Sequence, residues 1–378
     1  MFRFAPYVLK SLWRHGTRTA LTATGAAIAL FLFSFVGAIQ DGLADLGRHS
    51  ERQLIVFQAN RYCPFTSQVP EHYTATIAKT PGVKDVVPIK VYTNNCRASL
   101  DVVVFNGMPP DKVRSARDLN LVAGDWSEFE KHRDAAVVGQ VLARRRNLSV
   151  GQRFSIGQVT VTLAGIFTSR NAAEENFIYT HLDFLQYTRG LNSVGTVTEF
   201  EVRLADGADA DAVAHAIDEQ YRGGPIQTDT RTKGVFLTKA VGDLVELIHF
   251  TNYLGYACVA LVFCLVATTT VMAVQDRVRE HALLQTLGFS GRRIFALVMS
   301  ESLLVSLVGG AIGIAAALAV LAWSHMAIGT EGVTIAFAPS ISLALTGLGV
   351  TVAIGVLGGC VPAWQAARAE IVSSLRYT

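Results

Sequence analysis

Four stretches of the chain hold no charged side chain: residues 20–39, 251–274, 302–323 and 341–363, with lengths of 20, 24, 22 and 23 residues. Each meets the roughly 20 residues a helix needs to cross the hydrocarbon of a bilayer. With their flanks they predict transmembrane helices over 19–40, 251–274, 294–323 and 341–363. The segment 41–250 has a different pattern. Residues 86–91, 100–105, 154–156 with 159–166, and 200–204 are rich in β-branched side chains and bounded by Gly, Pro or Asn-Asn, which predicts strands. Residues 209–222 place Val213, Ala216, Ile217 and Tyr221 on one helical face, between a strand and Pro225-Ile226-Gln227, a βαβ-like unit. Residues 142–156 read as a helix, a turn at Gly151 and a strand. At the edges, Leu43, Leu46 and His49, and then Leu237, Val241, Leu244, Val245 and Ile248, keep a helical repeat that predicts stalks continuing the first two spans. The expected fold is therefore an α-helical membrane protein of four transmembrane helices, with a large mixed α/β extracytoplasmic domain inserted between helices 1 and 2.

Between the second and third spans, residues 275–293 form a charged island. Leu283, Leu284 and Leu287 recur three and four apart, while Arg277, Arg279 and Glu280 stay polar, which predicts a short helix. Gly288 follows the last periodic residue, where a left-handed C′ glycine ends helices, and Ser290 stands where it can cap the next helix.

Charge placement orients these elements. Residues 1–18 carry Arg3, Lys10, Arg14 and Arg18 without an acid, and their interleaved Phe4, Leu9, Leu12 and Trp13 predict an amphipathic helix on the membrane surface. The island adds Arg277, Arg279, Arg292 and Arg293, and the tail 364–378 adds Arg368 and Arg376. The loop 324–340 has no Lys or Arg, only Glu331. An excess of Lys and Arg marks the cytoplasmic side. Both termini and the island are thus expected in the cytoplasm, with 41–250 and 324–340 outside. The composition, 51% hydrophobic and 17% charged, suits a multi-pass protein, and a net charge of +3 without a basic, aromatic-interleaved run excludes nucleic acid as a partner.

Chemistry is sparse. No phosphate-cradling Gly-x-x-x-x-Gly-Lys-Ser/Thr occurs, nor His-Glu-x-x-His, nor Gly-x-Ser-x-Gly. The expectation is a non-enzymatic chain with no catalytic, cofactor or metal residues of its own, and the acids and histidines at Glu174-Glu175 and His181-Asp183 read as ordinary loop groups. Cys258, Cys264 and Cys360 fall in spans and read as packing residues. Cys63 and Cys96 fall in the exported segment, where oxidation predicts a disulfide worth about 3 to 4 kcal/mol. A metal site using His49 or His72 has no supporting spacing. Gly309 with Gly313, and Gly355 with Gly359, put small residues four apart in the last two spans and permit close helix packing, within one subunit or between two. Glu301, at the start of the third span, is expected to reach the interface near Arg292 or Arg293.

The order Arg277-x-Arg279-Glu280, Leu283-Leu284, Leu287-Gly288, Arg292-Arg293-Ile294 resembles the signature of the permease subunits of MacB/FtsX/Lol-type ABC transporters. Glu301-Ser-Leu-Leu-Val-Ser-Leu-Val-Gly-Gly-Ala-Ile-Gly313 resembles the start of that family's third transmembrane helix, and residues 362–377 its C-terminal tail. Residues 18–25, 81–88 and 142–156 add family-like features. The resemblance implies an inner-membrane permease that moves its periplasmic domain when a separate ABC ATPase subunit, which binds the ATP, closes in the cytoplasm. It further implies a second permease copy, a periplasmic adaptor as a possible partner, and export of a lipoprotein, lipid or hydrophobic compound. The alternative within the family is FtsX-like signalling to a cell-wall hydrolase without a transported substrate. Outside it stands a membrane-anchored sensor or enzyme with no ATPase.

Overall fold

The computed structural model describes residues 16–48, 52–61, 66–94, 102–171, 173–240, 242–324, 327–330, 333–337 and 339–368. The amphipathic helix expected over 1–18 lies almost wholly outside these residues, as do Cys63, Cys96, His49 and most of the tail. The chain divides into two compact units.

The first unit comprises Met1–Gln40, Leu247–Ser324 and Ala338–Thr378. It holds most of the long helices Gly16–Arg48 and Gly242–Asp276 and all of Gly291–Ser324 and Ile341–Arg368. Within them Thr19–Gly42, Phe250–Asp276, Gly291–Trp323 and Ile341–Arg368 are long and apolar enough to cross a membrane. The helices run past the charge-free stretches because backbone hydrogen bonding does not stop where hydropathy does. Ala26, Ala29, Leu30, Val262, Val266, Ile314 and Ile354 form an apolar centre from all four helices. The side chains of Gln40 and Asn252 hydrogen-bond to each other, joining the first and second helices.

The second unit, Asp41–Glu246 with His325–Phe337, is mixed α/β. Its strands are β1 Gln53–Gln58, β2 Val69–Pro70, β3 Val83–Thr93, β4 Val104–Met108, β5 Leu119–Gly124, β6 Ala135–Gly139, β7 Arg153–Ile156, β8 Val159–Ser169, β9 Phe177–His181, β10 Thr196–Val197, β11 Glu199–Leu204, β12 Thr228–Thr232, β13 Ala327–Thr330 and β14 Val333–Ala336. Ten of them make one sheet in the order β12-β1-β11-β3-β4-β9-β6-β8-β5, with β7 paired to β8. Among the described residues only β4–β9 and β6–β8 are parallel. The long strand β3 joins two halves: Val83 to Ile89 pair with β11, and Lys90 to Thr93 pair with β4.

In the first half, Leu54, Val56, Phe200 and Val202 face the helices Tyr73–Ile77 and Ala210–Tyr221 through Ile77, Val213 and Ile217. This alternation of inward and outward side chains follows from the two-residue period of a strand. Asp209 caps Ala210–Tyr221 by accepting from the Asp211 amide. The second half is covered on both faces, with Val104, Met108, Phe129 and Tyr179 in one core and Phe105, Val138, Leu142 and Ile178 in the other.

One local expectation gives way. The segment 324–340, read as a loop, carries the hairpin β13–β14, with Ile335 and Phe337 buried. Of the expected stalk over 237–248, Leu237 falls in the helix Lys233–Ala240, which packs Phe236 on Ile55 and Phe57, and residues 242–248 fall in Gly242–Asp276, while Val241 lies outside the described residues. Strands β1, β5, β6, β9 and β12 were not legible, being short runs whose partners lie far along the chain.

Candidate coupling site

The second spanning helix ends at Asp276 and a shorter helix, Val278–Thr286, begins two residues later. Arg277 is the single non-helical residue between them, with φ −114° and ψ 18°. At the other end the Gly288 amide donates to the Gln285 carbonyl at 3.0 Å and the Phe289 amide to the Leu284 carbonyl at 3.0 Å. Gly288 has φ +89°. These two bonds and the left-handed glycine are a complete Schellman closure, which a β-branched residue at 288 would strain. The next helix starts when the Ser290 carbonyl accepts from the Arg293 amide at 2.8 Å. Gly291 lies against the Ala367 carbonyl near the end of the fourth helix, where an added methyl would stand 2.7 Å from the oxygen.

Arg279, Glu280, Leu283, Thr286 and Leu287 are exposed. Their spacing puts them on one continuous face. Leu283 is 56% and Leu287 77% exposed, while Ala282 is buried. Of the three leucines that the spacing groups together, Leu283 and Leu287 are exposed and Leu284 is half-buried. Arg292 and Arg293 are also exposed, with Arg293 over the Phe289 ring.

Arg277 leaves this face. It is 8% exposed, and its Nη1 donates to both Glu301 carboxylate oxygens at 3.1 and 3.3 Å. Glu301, expected at the interface near Arg292 or Arg293, has Arg277 as its ionic partner. The intervening turn carries 292 and 293 outward, while 277 and 301 face each other across two helices.

The four glycines singled out from the sequence sit at helix contacts within this chain. A methyl at Gly309 would lie 2.6 Å from the Ala23 carbonyl oxygen, and one at Gly313 would overlap the Ala27 carbonyl. Gly355 faces Leu303 and Ser306, and Gly359 faces Ser302 and Met299. Cys264 and Cys360 are exposed and Cys258 partly so.

In the α/β unit, the other residues weighed for chemistry have structural partners. His181 is buried, with Nε2 2.6 Å from the Phe129 carbonyl oxygen. Glu174 accepts from Ser169 Oγ at 2.7 Å and Glu175 from the Ser169 amide at 3.2 Å. His72 stands edge-on to the Tyr73 ring. Among the described residues no three His, Cys, Asp or Glu groups gather as metal ligands.

The sequence missed a buried ionic network where the two halves of the sheet meet. Arg117 donates to both Glu201 oxygens at 2.9 and 2.6 Å, and lies 3.9 Å from Glu174. Lys233 approaches Glu201 at 3.6 Å and donates to Gln53 at 3.0 Å. Burial opposes the charge on Glu201, but Arg117 and Lys233 hold its carboxyl well below the ordinary range. Glu199, on the same face of β11, is pushed up to about 7 by burial and by Glu201. Its Oε2 has no hydrogen-bond partner among the described residues. The one sequence signal was the charged alternation Glu199, Glu201, Arg203, which a solvent-facing strand would show equally.

Helices long enough to span, a charged helix between the second and third of them, and a large α/β unit inserted after the first define a permease-type membrane component. A model of the MacB-like periplasmic core domain matches residues 19–220, more than half of the chain, and a model of the FtsX-like permease C-terminal region matches residues 252–371. The chain belongs to the MacB/FtsX-type family of ABC transporter permeases. It is 24% identical over 328 residues to the macrolide export ATP-binding/permease protein MacB of Bdellovibrio bacteriovorus, covering 78% of this chain and 47% of that protein. It is 26% identical over 396 residues to the protein of the same name from Escherichia coli, covering 97% of this chain and 59% of the relative. The chain thus spans about half the length of the curated relatives it matches. Among solved structures, the periplasmic region of MacB from Actinobacillus actinomycetemcomitans is similar with a TM-score of 0.38 and 10% identity, over 53% of this chain and 96% of that one. The extracellular domain of the noncanonic ABC-type transporter YknZ from Gram-positive bacteria gives 0.36 and 13%, over 48% and 98%. Family and helices together make this a multi-pass inner-membrane protein.

Proposed function

We propose that the chain is the force-transmitting permease of an ABC transporter. An ATPase outside these 378 residues docks on the helix Val278–Thr286. Its closure on ATP pulls the spanning helices and so changes the conformation of the periplasmic domain. Two permeases assemble around two ATPases, with both termini and the coupling helix in the cytoplasm, and the cycle drives export of a hydrophobic compound, lipid or lipoprotein. The observation that carries this reading is the outer face of the short helix. Leu283 and Leu287 stand exposed there between Arg279 and Glu280, an apolar anchor with charges to set its orientation, as in helix-in-groove docking.

Truncating one buried anchor at an interface costs on the order of 1 to 3 kcal/mol, roughly 5- to 150-fold in affinity. The permease purified from native membranes is expected to carry an ATP-hydrolysing subunit in equal amount, and Leu287→Asp to lose it without losing membrane insertion. Retention of that subunit by Leu287→Asp, with stimulated hydrolysis intact, would rule the docking face out. A wild-type permease that holds no ATPase would rule out the whole reading.

A further inference from the structure

The coupling helix is fixed to the spanning unit at both ends. At its C-terminal side the chain turns at Gly288 and Gly291 rests on the Ala367 carbonyl. At its N-terminal side Arg277 turns inward although Gln275, Asp276, Arg279 and Glu280 around it are exposed. Burying a guanidinium is costly unless a carboxylate meets it, and a buried pair adds little net stability over apolar side chains of the same size. Its physical yield is directional: one guanidinium nitrogen shared by both oxygens of one carboxylate sets where both elements stand. Here those elements are the one-residue joint that launches the coupling helix and the third spanning helix, 24 residues further along.

The surroundings of the pair leave it room. A cavity of about 40 Å³ lies beside it, where the hydroxyls of Thr19, Thr22, Thr269, Thr270 and Ser302 stand among apolar side chains such as Val266 and Val298. That is space for about three waters, which hydroxyl groups can bind. A charged pair jammed among close-packed side chains could not shift without breaking the packing, whereas one at the edge of a cavity can.

We infer that Arg277 and Glu301 are the positioning pair of the coupling step, resting on the docking reading above. They lock the coupling helix to the third spanning helix, so that force applied at Leu283 and Leu287 moves that helix instead of being absorbed by rotation at residue 277. Neither residue contacts the ATPase.

The test uses the full permease in nanodiscs, alone and with the ABC ATPase that co-purifies with it. Alone, Glu301→Gln and Arg277→Gln are expected to raise hydrogen exchange of the amides of Val278–Thr286 at least tenfold, with exchange in the α/β domain unchanged. With the ATPase, both variants should bind it within threefold of wild type but lose at least tenfold in maximal stimulated turnover. The exchanged pair Arg277→Glu with Glu301→Arg should recover at least a third of that loss. Wild-type turnover in the single variants overturns the inference, as does unchanged exchange in the coupling helix, while leaving docking intact. Loss of turnover with no recovery in the exchanged pair also overturns it, since a general packing defect would behave that way. A wild-type permease that captures no ATPase brings down the docking reading and this inference with it, and is told apart from the other failures by the binding measurement.

Discussion

The two units of this chain solve the packing problem in opposite ways. The α/β domain encloses large side chains, with Phe105, Phe129, Phe167, Tyr179 and Phe200 all essentially buried. The spanning unit instead brings backbones together at glycine, as Gly309 against Ala23 and Gly313 against Ala27 show. The difference follows from the solvent. Water drives apolar bulk into a core, whereas lipid tails are as apolar as leucine, so helices in a bilayer gain by close approach and not by hiding hydrophobic surface. Charge follows the same division. The domain holds a branched network of Arg117, Glu174, Glu201 and Lys233, and the spanning unit shows one largely buried pair among its described residues, Arg277 with Glu301.

If this contrast is right, enlargement should harm the spanning unit most and truncation the domain. Gly313→Leu drives a side chain into the Ala27 backbone, which no rotamer change relieves. The full chain should then fail to give a monodisperse, cooperatively unfolding species in detergent, the largest effect expected. A wild-type unfolding midpoint for this variant would break the comparison outright. Phe200→Ala, at a site that is 0% exposed, should cost about 3 to 5 kcal/mol. Hydrogen exchange should localise that loss to β1, β11 and the helix Ala210–Tyr221, leaving the spanning amides as they were.

The charges sharpen the contrast further. Arg117→Met leaves Glu201, 2% exposed, with Lys233 alone at 3.6 Å. A broken buried pair costs on the order of 3 kcal/mol, and Arg117→Met with Glu201→Met should regain most of it. A double variant no more stable than the single one would show that the fork has a structural role beyond charge pairing.

The smallest effect is one of pH. Glu199 is raised from 4.5 to about 7, so the folded domain binds this proton more tightly than the unfolded chain. The stability it lends is full below about 4.5 and is lost as pH rises through about 7. Glu199→Gln should therefore be more stable than wild type at pH 8 and flatten the fall between pH 5 and 8. Glu201 has the opposite sign: its lowered value lends stability that disappears only in acid, below the ordinary carboxylate range. Denaturant titrations of both chains across pH 4 to 9 separate the two, and parallel pH profiles would discard the account of Glu199.

Much of the architecture was legible because it is written locally. A run of 24 uncharged residues at 251–274 specifies a spanning helix by length alone. The end of the coupling helix at Gly288 likewise needs only a glycine able to adopt φ +89°. The alternating strand at 200–204 and the amphipathic helix at 209–222 were readable by period for the same reason, since the structure places β11 and Ala210–Tyr221 there. What the sequence could not supply is who meets whom. Arg277 could have paired with any nearby acid, and only the fold brings it to Glu301 while sending Arg292 and Arg293 outward. Leu283 and Leu284 both share a helical face with Leu287 by spacing, and that Leu283 and Leu287 stand outermost while Leu284 is half-buried is a tertiary fact, set by the side on which the bundle covers the helix. Gly313 meets Ala27, and Arg117 meets Glu201 84 residues away. Such contacts depend on how separate elements are brought together, whereas length, period and left-handed turns are properties of a short piece of chain and its solvent.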